Sequence, residues 1–260
     1  MLAAVAAVIV LAAAVIVTQL PSNTAAPPTT RVLPTVLTTT AASAAVATPS
    51  GTAPATTGTY QLLWPFADQD QAAAWQVSYR TGGHDAWHLD AGQTAQSFTQ
   101  GYLGYASIDQ VTSVSQTGTD ARIGVGHKAP ESTAAVIHLI KVGSGQDAPW
   151  EVVGTDDAAT LTLTTPAYGA SVTSPATVGG RITGVDESLR VQVLSLAAGK
   201  SVGQTGSIPA GGQNTAWTAQ VSYAAPANSR LIIAVSTGGH VNDVERFAVT
   251  GVRSGAAANG

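Results

Sequence analysis

The sequence predicts an amino-terminal transmembrane helix and a disordered linker, then a small α+β domain and an all-β sandwich. Three observations carry this. The first 59 residues hold one charged side chain, Arg31, and no aromatic ring. Residues 60–157 mix helix-capping signals with strand-like runs. Residues 158–253 show only short strand-like runs separated by turn residues, with no helical period between them. The chain therefore divides into 1–20, 21–59, 60–157 and 158–253.

Residues 2–17 are Leu, Ala, Val and Ile only. As a helix they rise about 24 Å, and extension to Leu20 approaches the ~30 Å hydrocarbon core of a bilayer. Pro21 ends the helix because it lacks an amide hydrogen and restricts the residue before it. A cleaved signal peptide would need a small-residue site close behind its apolar core. The nearest, Ala42-Ser43-Ala44, lies about 25 residues past Val17. An uncleaved anchor is the expectation, with the remainder outside the cytoplasm. Basic residues mark the cytoplasmic end of such a helix; only Met1 precedes Leu2, which points to a start upstream.

Residues 21–59 contain 12 Thr, 9 Ala and 6 Pro among 39 residues. Such a stretch cannot bury enough large apolar surface to offset the entropy of ordering its backbone. Spaced prolines bias it toward extended polyproline II. Its reach lies between about 35 Å as a coil and about 120 Å extended, which suits a spacer.

In 60–157, Asp68 with Gln71 and Asp90 with Gln93 both read as helix N-caps. After Asp90, Ala95, Phe98, Tyr102 and Leu103 share one helical face, and Gly104 takes the left-handed position that closes it. The Asp68 segment fits a helix through Ala72, Trp75 and Tyr79, or a strand through Trp75, Val77 and Tyr79. Strand-like runs follow at 110–115, 121–126, 134–142 and 151–155, with a hairpin turn at Gly118. The third run is apolar on both faces, as a central strand would be. The predicted unit is one or two helices on an antiparallel sheet.

The stretch from Gly82 to Asp90 carries His84, Asp85, His88 and Asp90. Histidines four apart share a helical face, as zinc hydrolases require. Here Asp replaces the glutamate that follows the first histidine in those enzymes, and no third ligand follows. Two glycines and the cap at Asp90 place the stretch in a loop, with Trp87 packing on the core. No metal is expected; His84, His88 and Asp90 remain the alternative set. His127 and His138 read as strand residues. Trp64, Trp75, Trp87 and Trp150 read as core anchors, with an exposed pair binding sugar as the alternative.

In 158–253, runs fall at 160–164, 176–182, 189–196, 201–208, 216–223, 230–237 and 243–250. Leu189, Val191 and Val193 share a face, as do Trp217, Ala219, Val221 and Tyr223, and Leu231, Ile233 and Val235. Short alternating strands at this spacing predict a sandwich of about 100 residues. The chain has no cysteine, so packing alone would hold it, and neither thiolate chemistry nor a lipid-anchoring cysteine exists.

Leu163-Thr164-Thr165-Pro166-Ala167-Tyr168-Gly169-Ala170-Ser171-Val172-Thr173-Ser174-Pro175 opens this unit; Val178-Gly179-Gly180, Ala216-Trp217 and Val235-Ser236 follow. On these residues it resembles the immunoglobulin-like domain of bacterial spore germination proteins, over about 95 residues. The resemblance implies an extracytoplasmic accessory module and supplies no catalytic residues.

One of the 11 basic residues is Arg31, so the remainder carries 10 against 15 acidic, net −5. No basic stripe exists to neutralise phosphates, so nucleic acid is not an expected partner. No Gly-x-Ser-x-Gly elbow, Walker loop or dinucleotide fingerprint is present. Asp156-Asp157 and Asp186-Glu187 read as solvated turns, and Gly238-Gly239-His240 as a hairpin loop.

The expectation is a membrane-anchored, extracytoplasmic, non-catalytic binding or scaffolding protein of the bacterial cell envelope, without cofactor. The resemblance adds a sporulation or germination setting. Its partners would be the bilayer through residues 1–20 and an envelope protein or glycan. The alternatives are an envelope carbohydrate-binding protein and a metal-dependent hydrolase using His84 and His88.

Overall fold

The computed structural model describes residues 60–128, 131–238 and 242–256, all within the unit Pro54–Gly260. The predicted anchor and linker, and the loop histidine His240, lie outside the described residues, as do the side chains of Asp186 and Glu187. No helix among the described residues is long and apolar enough to cross a membrane. The described part is mostly β-sheet, two sheets with few helices.

Helix α1, Gln69–Gly82, resolves the helix-or-strand ambiguity in favour of helix. The Asp68 carboxylate accepts from the Gln71 N–H at 2.8 Å, and the Gln71 side chain accepts from the Ala67 N–H. These satisfy amides that a helix start leaves unpaired. Gly83 closes α1 in the left-handed region, φ 67°. A short 3-10 helix, Ala86–Leu89, leads into α2, Ala91–Ser97, capped by Asp90 on the Gln93 N–H. Beyond Ser97 the coil widens into a π-helical turn, Phe98–Tyr102, before Gly104 at φ 79°.

The first sheet is an antiparallel meander, β1 (Gln110–Thr117), β2 (Asp120–Lys128), β3 (Glu131–Lys141) and β4 (Trp150–Thr155), in that order. Gly118 makes the β1–β2 turn and β3 is central, both as expected. Beyond β4 the incoming chain continues the pairing: Leu63 N–H donates to the Val152 carbonyl and Val152 N–H to that of Trp64.

The second sheet runs β5 (Ser171–Val172), β10 (Arg246–Ser254), β9 (Arg230–Thr237), β6 (Ala176–Ser195) and β7 (Lys200–Gln204), with β8 (Ile208–Val221) also on β6. Seven separate strands were the expectation, and the strands are drawn differently. The runs at 176–182 and 189–196 are one 20-residue strand, because β8 pairs with it through two register shifts instead of letting it end. The run at 201–208 divides between β7 and the start of β8. The run at 160–164 makes only isolated bridges along β6. Its backbone passes so close that a Cβ on Gly180 would stand 2.0 Å from the Thr162 carbonyl oxygen.

Strand β6 thus serves two layers, its first half against β8 and its second against β9 and β7. Val178, Ile182, Trp217 and Val221 meet Leu231, Ile233, Val235 and Val252 in one core. This arrangement is compatible with a β-sandwich. The opposite face of β9 is also apolar. Ile232 and Ala234, with Phe247 and Val249, join a second core shared with Ile123, Ile137, Leu139, Trp150 and Phe98. The packing is continuous across the 157/158 boundary.

Candidate functional site

The 3-10 turn at Ala86–Leu89 sets Trp87 and His88 side by side, their ring centroids 3.6 Å apart. The turn is entered through Asp85 in the left-handed region, φ 59°, which Asp tolerates better than most residues. Trp87 stacks on Trp64 at 5.4 Å, and Trp64 lies 5.9 Å from Phe98 and 6.2 Å from Tyr102. His88 contacts Phe66 at 4.9 Å and meets Trp75 edge-on at 5.0 Å; Trp75 in turn stacks on Tyr79. Eight rings form one connected array over the edge of the first sheet. Trp64, Trp75, Tyr79, Trp87 and Tyr102 are half-buried, so the array has an outer side.

Under the array lie polar groups without partners. His88 is buried and its Nδ1 has no hydrogen-bond partner among the described residues; the same holds for the Trp75 indole N–H. Burial drives the His88 pKa down to about 4, against the pull of Asp85, so the ring is neutral at pH 7. Glu151 on β4 is fully buried. Its Oε2 accepts from the Phe66 N–H at 3.2 Å, while Oε1 has no partner. Burial raises its pKa well above the ordinary carboxyl range, more than the Phe66 amide and the Arg230 charge lower it. Burial favours the protonated form, which can donate as well as accept.

A second group occupies the first sheet nearby. Arg122 on β2 donates from Nε to Asp156 at 2.9 Å and from Nη1 to Asp120. His138 on β3 pairs through Nε2 with Asp120 at 2.8 Å and receives Tyr60 edge-on at 5.0 Å. Burial lowers the His138 pKa more than the Asp120 hydrogen bond raises it. Here charges meet charges, so the group reads as a structural ion-pair network.

The three residues of the alternative metal set occupy three environments. His84 is exposed, folded back over Gly82; His88 is buried among rings; Asp90 caps α2. Among the described residues no three His, Asp or Glu side chains converge as metal ligands. His127 and His138 are strand residues, in β2 and β3. Trp150 is a core anchor, 1% exposed, and Trp217 is buried; Trp64, Trp75 and Trp87 are each part core and part surface. Asp156 is engaged with Arg122 and is not a free turn acid. Sequence reasoning missed Glu151. Its signal was an acid set between Trp150 and Val152-Val153, a strand whose neighbours on both sides belong inside.

No protein-family model, curated protein or solved structure matches this chain.

Proposed function

We propose that this is a membrane-anchored display protein whose folded unit binds a partner outside the cytoplasm and carries out no reaction. The observation behind this reading is the partition at residue 60: sixteen aliphatic residues, then a Thr, Ala and Pro stretch whose one charge is Arg31, then all the rings and all the other charges. Residues 1–20 are the anchor, 21–59 the spacer, and 158–253 an immunoglobulin-like accessory module. The folded unit supports a binding role through its half-buried ring array, since aromatic rings give large contact area at low entropic cost. Fractionation of cells producing the full chain tests the placement. It should pellet with membranes, resist carbonate extraction and be cut by protease added outside the cell. Recovery of the intact chain from the cytosol overturns the reading.

The half-buried indoles Trp64, Trp75 and Trp87 at the outer side of the array favour a glycan as the partner, because a sugar ring lies flat on an exposed indole face. Full-length chain should be retained on peptidoglycan and lose retention in Trp87→Ala. Equal retention of wild type and variant removes the glycan and leaves a protein partner.

A further inference from the structure

We propose that a cavity between residues 61–67 and the second sheet binds a small organic monocarboxylate with a compact apolar body. The cavity measures about 180 Å³. Its walls are Leu62, Leu63, Leu196 and Leu231; Arg230 supplies the charge and Ala197 stands at the exposed rim. An apolar cavity of about 150 Å³ already admits benzene, so this one takes a single substituted ring or a short branched chain.

The wall is fixed, not draped. The Tyr168 hydroxyl accepts from the Gln61 N–H at 2.6 Å and donates to the Gln61 carbonyl at 2.8 Å. Gln61 Nε2 donates to the Val252 carbonyl at 2.9 Å, and Leu63 is paired to Val152. A segment pinned at both ends cannot collapse to fill the space, so the cavity is preorganised.

Arg230 sets the ligand's charge. Its guanidinium makes one hydrogen bond among the described residues, from Nη1 to the Leu62 carbonyl at 3.3 Å. No carboxylate stands within ion-pair distance of it there. Glu151 is fully buried and lies beyond ion-pair distance of it. A guanidinium keeps its charge under all ordinary conditions and offers a planar fork that fits a carboxylate through two parallel hydrogen bonds. A phosphate dianion would bring a second charge to a lining whose one cation among the described residues is Arg230. A monoanion with a hydrocarbon body satisfies both halves of the lining. The site is independent of where the protein resides.

The test uses purified full-length chain and four probes: benzoate, benzyl alcohol, benzylamine and inorganic phosphate. Binding is followed by calorimetry and by methyl NMR of the leucines. Benzoate should bind saturably and shift leucine methyl signals, with benzyl alcohol at least tenfold weaker and the other two silent. Arg230→Gln should weaken benzoate at least tenfold and leave benzyl alcohol unchanged. Ala197→Trp, a change at the rim that leaves the core intact, should block both. Absence of saturable benzoate binding overturns the proposal. So does equal affinity for benzoate and benzyl alcohol, phosphate binding as tight as benzoate, or a folded Ala197→Trp variant that binds unchanged.

Discussion

Two regions of this molecule each combine a histidine with carboxyl groups, and they solve the problem of charge in opposite ways. In the Asp120, Arg122, His138 and Asp156 group every partner is charged or hydrogen-bonded, and the acids remain half in water. Under the ring array, His88 and Glu151 are buried with one unpartnered polar atom each. Burial outweighs the partners they have: it drives the His88 pKa down to about 4 and raises that of Glu151. The network pairs its ionisable groups with one another, while the array leaves His88 and Glu151 to burial on the side of the molecule where rings reach the surface.

Phe66 is the residue whose loss would break the comparison most severely. Its ring touches Trp75 and His88, and its amide supports Glu151. Phe66→Ala should cost about 3–5 kcal/mol, the range for a buried phenylalanine, read as a lower urea midpoint. A change below about 1 kcal/mol would mean that the rings repack without it.

Next in size are the two titrations, which oppose each other. The folded-state pKa of His88 is depressed to about 4 from 6.5. Between those values the unfolded chain binds more protons, so the His88 contribution is full above pH 6.5 and is lost as pH falls toward 4. Over the whole window this amounts to about 3 kcal/mol. The Glu151 pKa is raised, so its contribution is full below pH 4.5 and is lost as pH rises through the folded-state value. His88→Phe keeps a ring and removes the acid loss. Glu151→Gln keeps the shape and should gain on wild type as pH rises above 4.5. Unfolding curves from pH 4 to 8 check both. A Glu151→Gln profile parallel to wild type would show that Glu151 is ionised in the fold, and the contrast between the regions would fail.

Local signals in the sequence proved sufficient where the physics is local. The caps at Asp68 and Asp90, the turn at Gly118 and the left-handed Gly104 depend on neighbours within four residues, and all four are where the pattern puts them. Whether 69–82 was helix or strand was open because Trp75 and Tyr79 fit either period; the cap and the packing of Ala72 and Trp75 on Val142 and Val153 decide for helix. Long-range facts were not legible. Strand β6 runs unbroken because β8, thirty residues later, holds its middle. Ile232 and Ala234 face a second core because they share it with the first sheet, through Ile123, Ile137, Leu139 and Trp150. Within the candidate site, the tryptophans could be listed from sequence but not sorted. The apolar flanks of Glu151 were readable, but the Phe66 amide that meets its carboxyl comes from far away in the chain.

The ion-pair group should show the smallest effects and the sharpest diagnostic. Arg122 is a quarter exposed and its acids nearly half exposed, so solvent screens both bridges. Arg122→Ala should cost no more than about 1 kcal/mol, and the loss should shrink in high salt. The His138 titration reads the same network from inside. Burial is the main cause of its low pKa, Arg122 adds to the depression, and Asp120 works against it. Arg122→Ala should therefore move the His138 titration upward, and Asp120→Asn should move it further down, both measurable by NMR of the imidazole protons. Each sign follows from one named neighbour. If both variants shift His138 in the same direction, the ring is answering to a change in solvent access instead of to its partners. The region would then belong with the buried pair and not opposite it.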